Sequence, residues 1–181
     1  KGKSLSPGAP ASGTELNARA ILEAAGMSYK DLSKTEYLPF AESVELMKNR
    51  QIDATLQSAG IGVASLRDLA ASVPINVVAV PKEVVDKIGA PYLSVTIPAN
   101  TYEGQTEDVQ TAAVGNILVS HSGVSDETAY QMTKLLYENL PTLIAAHSAA
   151  KMIDPAKAIE GMPLPLHPGA ERYYREIGLI K

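Results

Sequence analysis

Residues 6–15 read SPGAPASGTE, which packs two glycines, two prolines and three hydroxyls into ten positions. An amphipathic pattern follows at once. A glycine-rich turn between a strand and a helix leaves backbone N–H groups uncovered at the helix N-terminus. Those donors and the positive end of the helix dipole attract an anion. The hydroxyls of Ser12 and Thr14 stand on the same rim and add hydrogen-bonding capacity. Each such interaction is worth about 0.3–1 kcal/mol when exposed and up to ~2 kcal/mol when partly buried, so several together would select a carboxylate. Ser12 to Glu15 also spells S-x-x-E, in which Ser12 caps the helix and Glu15 caps back. That structural role alone is the competing reading. No Gly-Lys-Ser/Thr follows, so the stretch is not a Walker A loop.

A second stretch, QSAGIGVAS from Gln57 to Ser65, places Gly60-Ile61-Gly62 between an expected strand and an expected helix. Ser65 stands where a dinucleotide fingerprint has its third glycine, and Glu83 lies about 20 residues on, where a ribose-binding acid belongs. A nucleotide-dependent α/β enzyme using this loop is therefore the alternative function. A tight strand-to-helix turn explains the same glycines without chemistry. In a third reading the loop is another wall of a ligand site: Gln57 presents its amide, and Gly60 lets the backbone come close.

Catalytic groupings are sparse. His121, His147 and His167 are far apart and show no H-x-x-x-H spacing, so each reads as a surface or packing histidine. There is no G-x-S-x-G nucleophile elbow, and the carboxylates scatter over expected exposed helix faces without an acid–base pair. No cysteine occurs, which excludes a disulfide framework and a zinc-thiolate site. No metal or cofactor is expected.

These loops need elements to carry them. In 181 residues, 45% are hydrophobic and 20% charged, enough for a packed core. The net charge of -4, with no basic cluster, argues against nucleic acid as a partner. No stretch reaches the roughly 18 apolar residues of a membrane helix. Strands are expected at residues 4–6, 35–38, 54–58, 76–80 and 92–97. Helices are expected from Gly13 to a C-terminal stop at Gly26, from Phe40 to near Asn49, over 61–70 and over 82–88. In the first, Ala18, Ile21, Leu22 and Ala25 recur at helical spacing. Alternation of this kind predicts an α/β domain with a mainly parallel sheet and helices on both faces. Residues 109–120 read as one long extended strand that crosses to a second body. Beyond it the chain reads as helical, with Ser125 as N-cap and Ala129, Met132, Thr133 and Leu136 on one face. Pro141 and Pro155 break the following helices, and a last helix closes the chain. The division expected is 1–108 and 109–181.

Taken in order, KGKSLSPGAPASGTE (1–15), QIDATLQSAG (51–60), VTIPANTYEG (95–104) and PLHPGAERYYREIG (165–178) resemble the TAXI group of solute receptors. These are the periplasmic binding components of tripartite ATP-independent periplasmic (TRAP) transporters. The resemblance implies a type II periplasmic-binding-protein fold, whose two α/β lobes close on a ligand by hinge motion, and no catalysis. It implies a small organic anion, such as glutamate or a related dicarboxylate, as ligand, and membrane permease subunits as partners. Ser12, Gly13 and Thr14 would face the ligand, as would the loop of Gln57, Ser58 and Gly60, with Tyr102 beside Thr101 as a further candidate. The usual glycine of the family is replaced here by Ala11. Relatives carry a lobe-sized segment ahead of this point. Residues 1 to about 108 would then be the second lobe, and the C-terminal helices would belong to a first lobe that is mostly absent. A chain of that kind is expected to pair with another copy, swap its C-terminal helices or aggregate.

Overall fold

A computed structural model describes residues 1–146 and 148–181. His147, one of the three histidines weighed above, lies outside the described residues. The chain divides into two compact units, Lys1–Val114 and Gly115–Lys181.

The first unit is built on a parallel sheet. Strand β1 (Ser4–Ser6) lies between β2 (Lys34–Thr35) and β3 (Ala54–Thr55), giving the order β2-β1-β3. Helix α1 (Gly13–Ala24) links β1 to β2, and α2 (Phe40–Lys48) links β2 to β3. The two crossovers run in opposite directions across β1. With right-handed connections they put α1 and α2 on opposite faces. Packing divides in the same way: α1 lies against α4 (Lys82–Ile88), and α2 against α3 (Ala64–Ser72). The buried side chains Ala18, Val44, Leu69 and Val85 supply one apolar contact from each of these four helices. A second, antiparallel sheet pairs β4 (Tyr92–Ile97) with β5 (Val109–Val114).

Local chemistry sets the ends of α1. The Ser12 hydroxyl accepts the Glu15 N–H at 3.2 Å. At the other end Gly26, at φ 70°, closes a Schellman motif: its N–H donates to Glu23 O (2.9 Å), and Met27 N–H to Leu22 O (2.8 Å). The Asp53 carboxylate fixes β1 against β3. It accepts the Ser4 N–H and the Ser4 hydroxyl, both at 2.8 Å, and Lys3 Nζ at 3.2 Å, while Asp53 N–H donates back to the Ser4 hydroxyl at 2.9 Å.

Those bonds, led by the Ser4 backbone N–H, hold the Asp53 carboxyl down to about 2. An unfolded aspartate titrates near ~3.9, so the folded pKa is the lower one. The stabilisation is therefore fully present above about pH 4 and is lost as pH falls toward 2. Urea midpoints measured from pH 7 down to 2 should drop across that window. Asp53→Asn should be less stable at pH 7 and should show a flatter profile below pH 4. Parallel profiles would remove Asp53 from the acid response.

The second unit is helical. Helix α5 (Asp126–Glu138) is capped by the Ser125 hydroxyl, which accepts Thr128 N–H at 3.1 Å. After α6 (Leu140–Ala146) come single 3₁₀ turns at Ser148–Met152 and Pro155–Lys157, then α7 (Pro168–Glu176). Tyr130, Tyr173 and Tyr174 form the buried core between α5 and α7, with Tyr137 packed against them. Gly169 lets the two helices approach: a Cβ there would stand 2.0 Å from Asp126 O and 2.7 Å from Tyr130 N.

Several expected boundaries are corrected. Residues 76–80 are not a buried strand. They form no ladder, Val78 is 75% exposed, and their tie to the sheet is Val80 N–H to Gln110 O at 2.9 Å. A β-branched run suits a sheet without supplying a neighbour, and Pro74 and Pro81 bracket this one. The long strand over 109–120 stops at Val114, where β5 runs out of partner at Tyr92; beyond it Leu118 is 71% exposed. The strands expected at 35–38 and 54–58 shorten to two residues each, because β1 offers three residues to pair with. The helix expected at 61–70 begins at Ala64. The buried stripe of α5 is carried by Ala129 and Tyr130, with Met132 exposed.

Candidate functional site

The turn after β1 brings Gly8 against Thr14. A Cβ on Gly8 would lie 2.7 Å from the Thr14 methyl and 3.2 Å from the Ser12 hydroxyl, and Gly8 adopts φ 108°, a region that side chains avoid. Thr14 is thereby buried to 9% exposure, and its hydroxyl has no hydrogen-bond partner among the described residues. In the first turn of α1, Glu15 N–H is taken by Ser12, and Leu16 N–H by Ser12 O. The N–H groups of Gly13 and Thr14 have no partner among the described residues. Gly13 is exposed, with nothing within 4 Å of its would-be Cβ. The N-terminus of α1 is thus open.

Glu15 does not cap back, so only half of the expected box forms. Its carboxylate, 3% exposed, accepts Arg19 Nη2 at 2.8 Å and the Tyr29 hydroxyl at 2.9 Å. The Arg19 hydrogen bond outweighs burial and holds the Glu15 carboxyl below its usual range, with Tyr29 helping. Arg19 compensates the negative charge in the first turn, so Glu15 does not cancel the attraction of the helix end for an anion.

Ala11, where the resembled family has glycine, sits at φ 56°. The left-handed region costs an L-residue roughly 1–2 kcal/mol, more than the ~0.5–1 kcal/mol entropic cost of introducing glycine. Ala11→Gly should therefore stabilise the first unit by about 0.5 kcal/mol in urea unfolding. A loss of stability would show that the turn tolerates alanine without strain.

The second loop stands on bonded neighbours. Ser58 Oγ accepts Asn17 Nδ2 at 2.8 Å, and Asn17 Oδ1 accepts the Tyr92 hydroxyl at 2.6 Å, so the loop is tied to α1 and β4. Ser65 donates to Gln57 Oε1 at 2.6 Å, which leaves Gln57 Nε2 as a buried donor without a partner. Ser58 and Gly60 are exposed. Tyr102, 5% exposed, accepts Gly62 N–H at 3.1 Å. Its hydroxyl thus supports the loop. Gln105, which sequence reasoning missed, holds Tyr102: its Oε1 accepts Tyr102 N–H at 3.3 Å, and its Nε2 donates to Pro98 O and Glu107 O. Its neighbours in the sequence gave no signal of that role.

The dinucleotide geometry is not met. Glu83 lies in the first turn of α4, preceded by the unladdered residues 76–80 rather than by a paired strand. The remaining histidines have structural partners. His121 Nδ1 accepts Gly123 N–H at 3.0 Å. His167 caps α7 by accepting Gly169 N–H at 3.2 Å, and its Nε2 lies 3.0 Å from Val124 O. A groove of about 540 Å³ between α2 and α3 is lined by Leu38, Val44, Ser65 and Asp68 among others, so it reaches the second loop through the partner of Gln57, and a hollow of about 210 Å³ lies near Arg19 and Tyr29. No described helix is long and apolar enough to cross a membrane.

Fold and loops together define a class: an α/β unit with a short parallel sheet flanked by helices, compatible with a lobe of a periplasmic binding protein. The family model described as NMT1-like family matches residues 1–178, and the chain belongs to that family, one of periplasmic solute-binding-like proteins. Its members are binding proteins with an extracytoplasmic role, which implies a small-molecule ligand and a membrane transporter as partner.

Proposed function

We propose that this chain is a TAXI-type receptor of a TRAP transporter that captures a small organic anion, such as glutamate or a related dicarboxylate, in the periplasm and hands it to membrane permease subunits. The observation that carries the reading is the open N-terminus of α1. Two N–H groups, from Gly13 and Thr14, and the Thr14 hydroxyl have no partner among the described residues, and the helix dipole points its positive end at the same place. Gln57, Ser58 and Gly60 stand on the loop bonded to α1 and complete the ligand-facing side, with Tyr102 supporting them. The carboxylate binds by hydrogen bonding alone, and no bond is made or broken. In this reading residues 1–108 are the second lobe, and residues 109–181 return to the first.

Thermal unfolding with a panel of carboxylic acids and dinucleotides tests the proposal. A ligand that binds the folded state alone raises the midpoint by an amount that grows with its concentration. The midpoint should rise with glutamate or another small acid and stay fixed with NAD. A rise with the dinucleotide alone would favour the enzyme reading.

A further inference from the structure

Helices α2 and α3 frame the groove of about 540 Å³ on the first unit. Leu38, Ala41, Val44 and Leu46 give it an apolar lining, in which Val44 is buried and Ala41 is exposed. The carboxylates of Glu42, Glu45 and Asp68 border that lining, and all three residues are exposed. Lys48 is the cation bonded to this rim: its Nζ lies 3.1 Å from Glu45 Oε1 and 2.6 Å from Asp68 Oδ2. Glu42 has no ion pair or side-chain hydrogen bond among the described residues. Three carboxylates against one ammonium leave the rim of an apolar groove negative. A second copy docking groove to groove would set two like rims against each other, which opposes association. A partner segment with an apolar face bordered by lysines or arginines meets both features at once.

We infer that the α2–α3 groove is a docking surface for a basic amphipathic helix of a partner protein. Phe40–Lys48 and Ala64–Ser72 have nine residues each, about 13 Å of helix at ~1.5 Å per residue. That length seats about two and a half turns of an incoming helix, which presents apolar anchors at i, i+3 or i+4, and i+7. The anchors enter the apolar lining, and the flanking cations face Glu42 and its neighbours. Exposed rim charges act on partner choice and association rate, and salt screens them. The surface lies beside the second loop, because Ser65 lines the groove and donates to Gln57, yet it does not depend on which ligand that loop meets.

Fluorescence anisotropy with a labelled leucine–lysine peptide of about 14 residues, long enough to form a helix, tests the surface. Its counterpart carries glutamate in place of each lysine. The lysine peptide should bind about tenfold more tightly than the glutamate peptide, and the difference should shrink as salt rises. Glu42→Lys should weaken the lysine peptide about fivefold or more, while Glu103→Lys, an exposed position away from the groove with the same change in net charge, should stay within about twofold. Ala41→Trp should fill the groove and abolish binding, with unchanged melting as the check on the fold. Equal losses in Glu42→Lys and Glu103→Lys would reduce the attraction to net charge and overturn the proposal. So would binding that survives Ala41→Trp, or no binding of the lysine peptide by the unmodified chain. A dimer seen by light scattering and dissolved by Ala41→Trp would assign the groove to a second copy instead.

Discussion

Gly169→Ala should unfold the packing of α5 on α7. The new Cβ would stand 2.0 Å from Asp126 O and 2.7 Å from Tyr130 N, both backbone atoms of α5. A flexible side chain can give way to a methyl group, whereas a helix backbone moves only as a whole. Overpacking of this kind costs typically 1–3 kcal/mol and occasionally more, and here the expectation is about 3 kcal/mol or more. Separation of the helices would also break contacts that hang on the crossing. They include the Tyr130 hydroxyl to Glu176 at 2.6 Å, Arg172 to Glu127 at 2.7 Å, and the Arg172 guanidinium 3.7 Å from the Tyr130 ring centroid. The chain has no tryptophan, so near-ultraviolet circular dichroism reports tyrosine, and four of the eight tyrosines lie in this cluster. The signal should fall sharply in Gly169→Ala. Gly115→Ala is the control, since nothing lies within 4 Å of its would-be Cβ. Equal signals and melting for both variants would show that α7 can shift without cost.

Thr14→Val should weaken binding of an anionic ligand while leaving the fold in place. Valine keeps the shape that packs on Gly8 and removes a hydroxyl that has no partner among the described residues, so stability should change little. Loss of one hydrogen bond to a charged group costs about 1.5–3 kcal/mol, roughly tenfold to 150-fold in affinity for glutamate by calorimetry. Affinity unchanged within twofold, about 0.4 kcal/mol, would mean that Thr14 only packs the turn.

The sequence made the local devices legible. Ser12 and Ser125 as N-caps, Gly26 as a helix stop and the alternation of β4 all act through residues within a turn or two of themselves. Residues 76–80 and 115–120 misled because their apolar content describes a strand, while strand formation needs a partner elsewhere in the chain. Glu15 was misread for the same reason: S-x-x-E gives the spacing of a capping box, but Tyr29, fourteen positions on, and Arg19 compete for the carboxylate and win. The candidate loops were visible as glycine-rich turns. Gln105 was not, because its hold on Tyr102 runs through backbone groups that only the folded loop brings together.

In the proposed function a small organic anion binds at the open N-terminus of α1. The most direct test is an amide NMR titration with glutamate. The N–H signals of Gly13 and Thr14 should move first and furthest, in the direction of stronger hydrogen bonding, with smaller shifts at Ser58 and Gly60. Shifts at saturation that spare Gly13 and Thr14 and gather instead along the α2–α3 groove, at Leu38, Val44 and Asp68, would contradict the account.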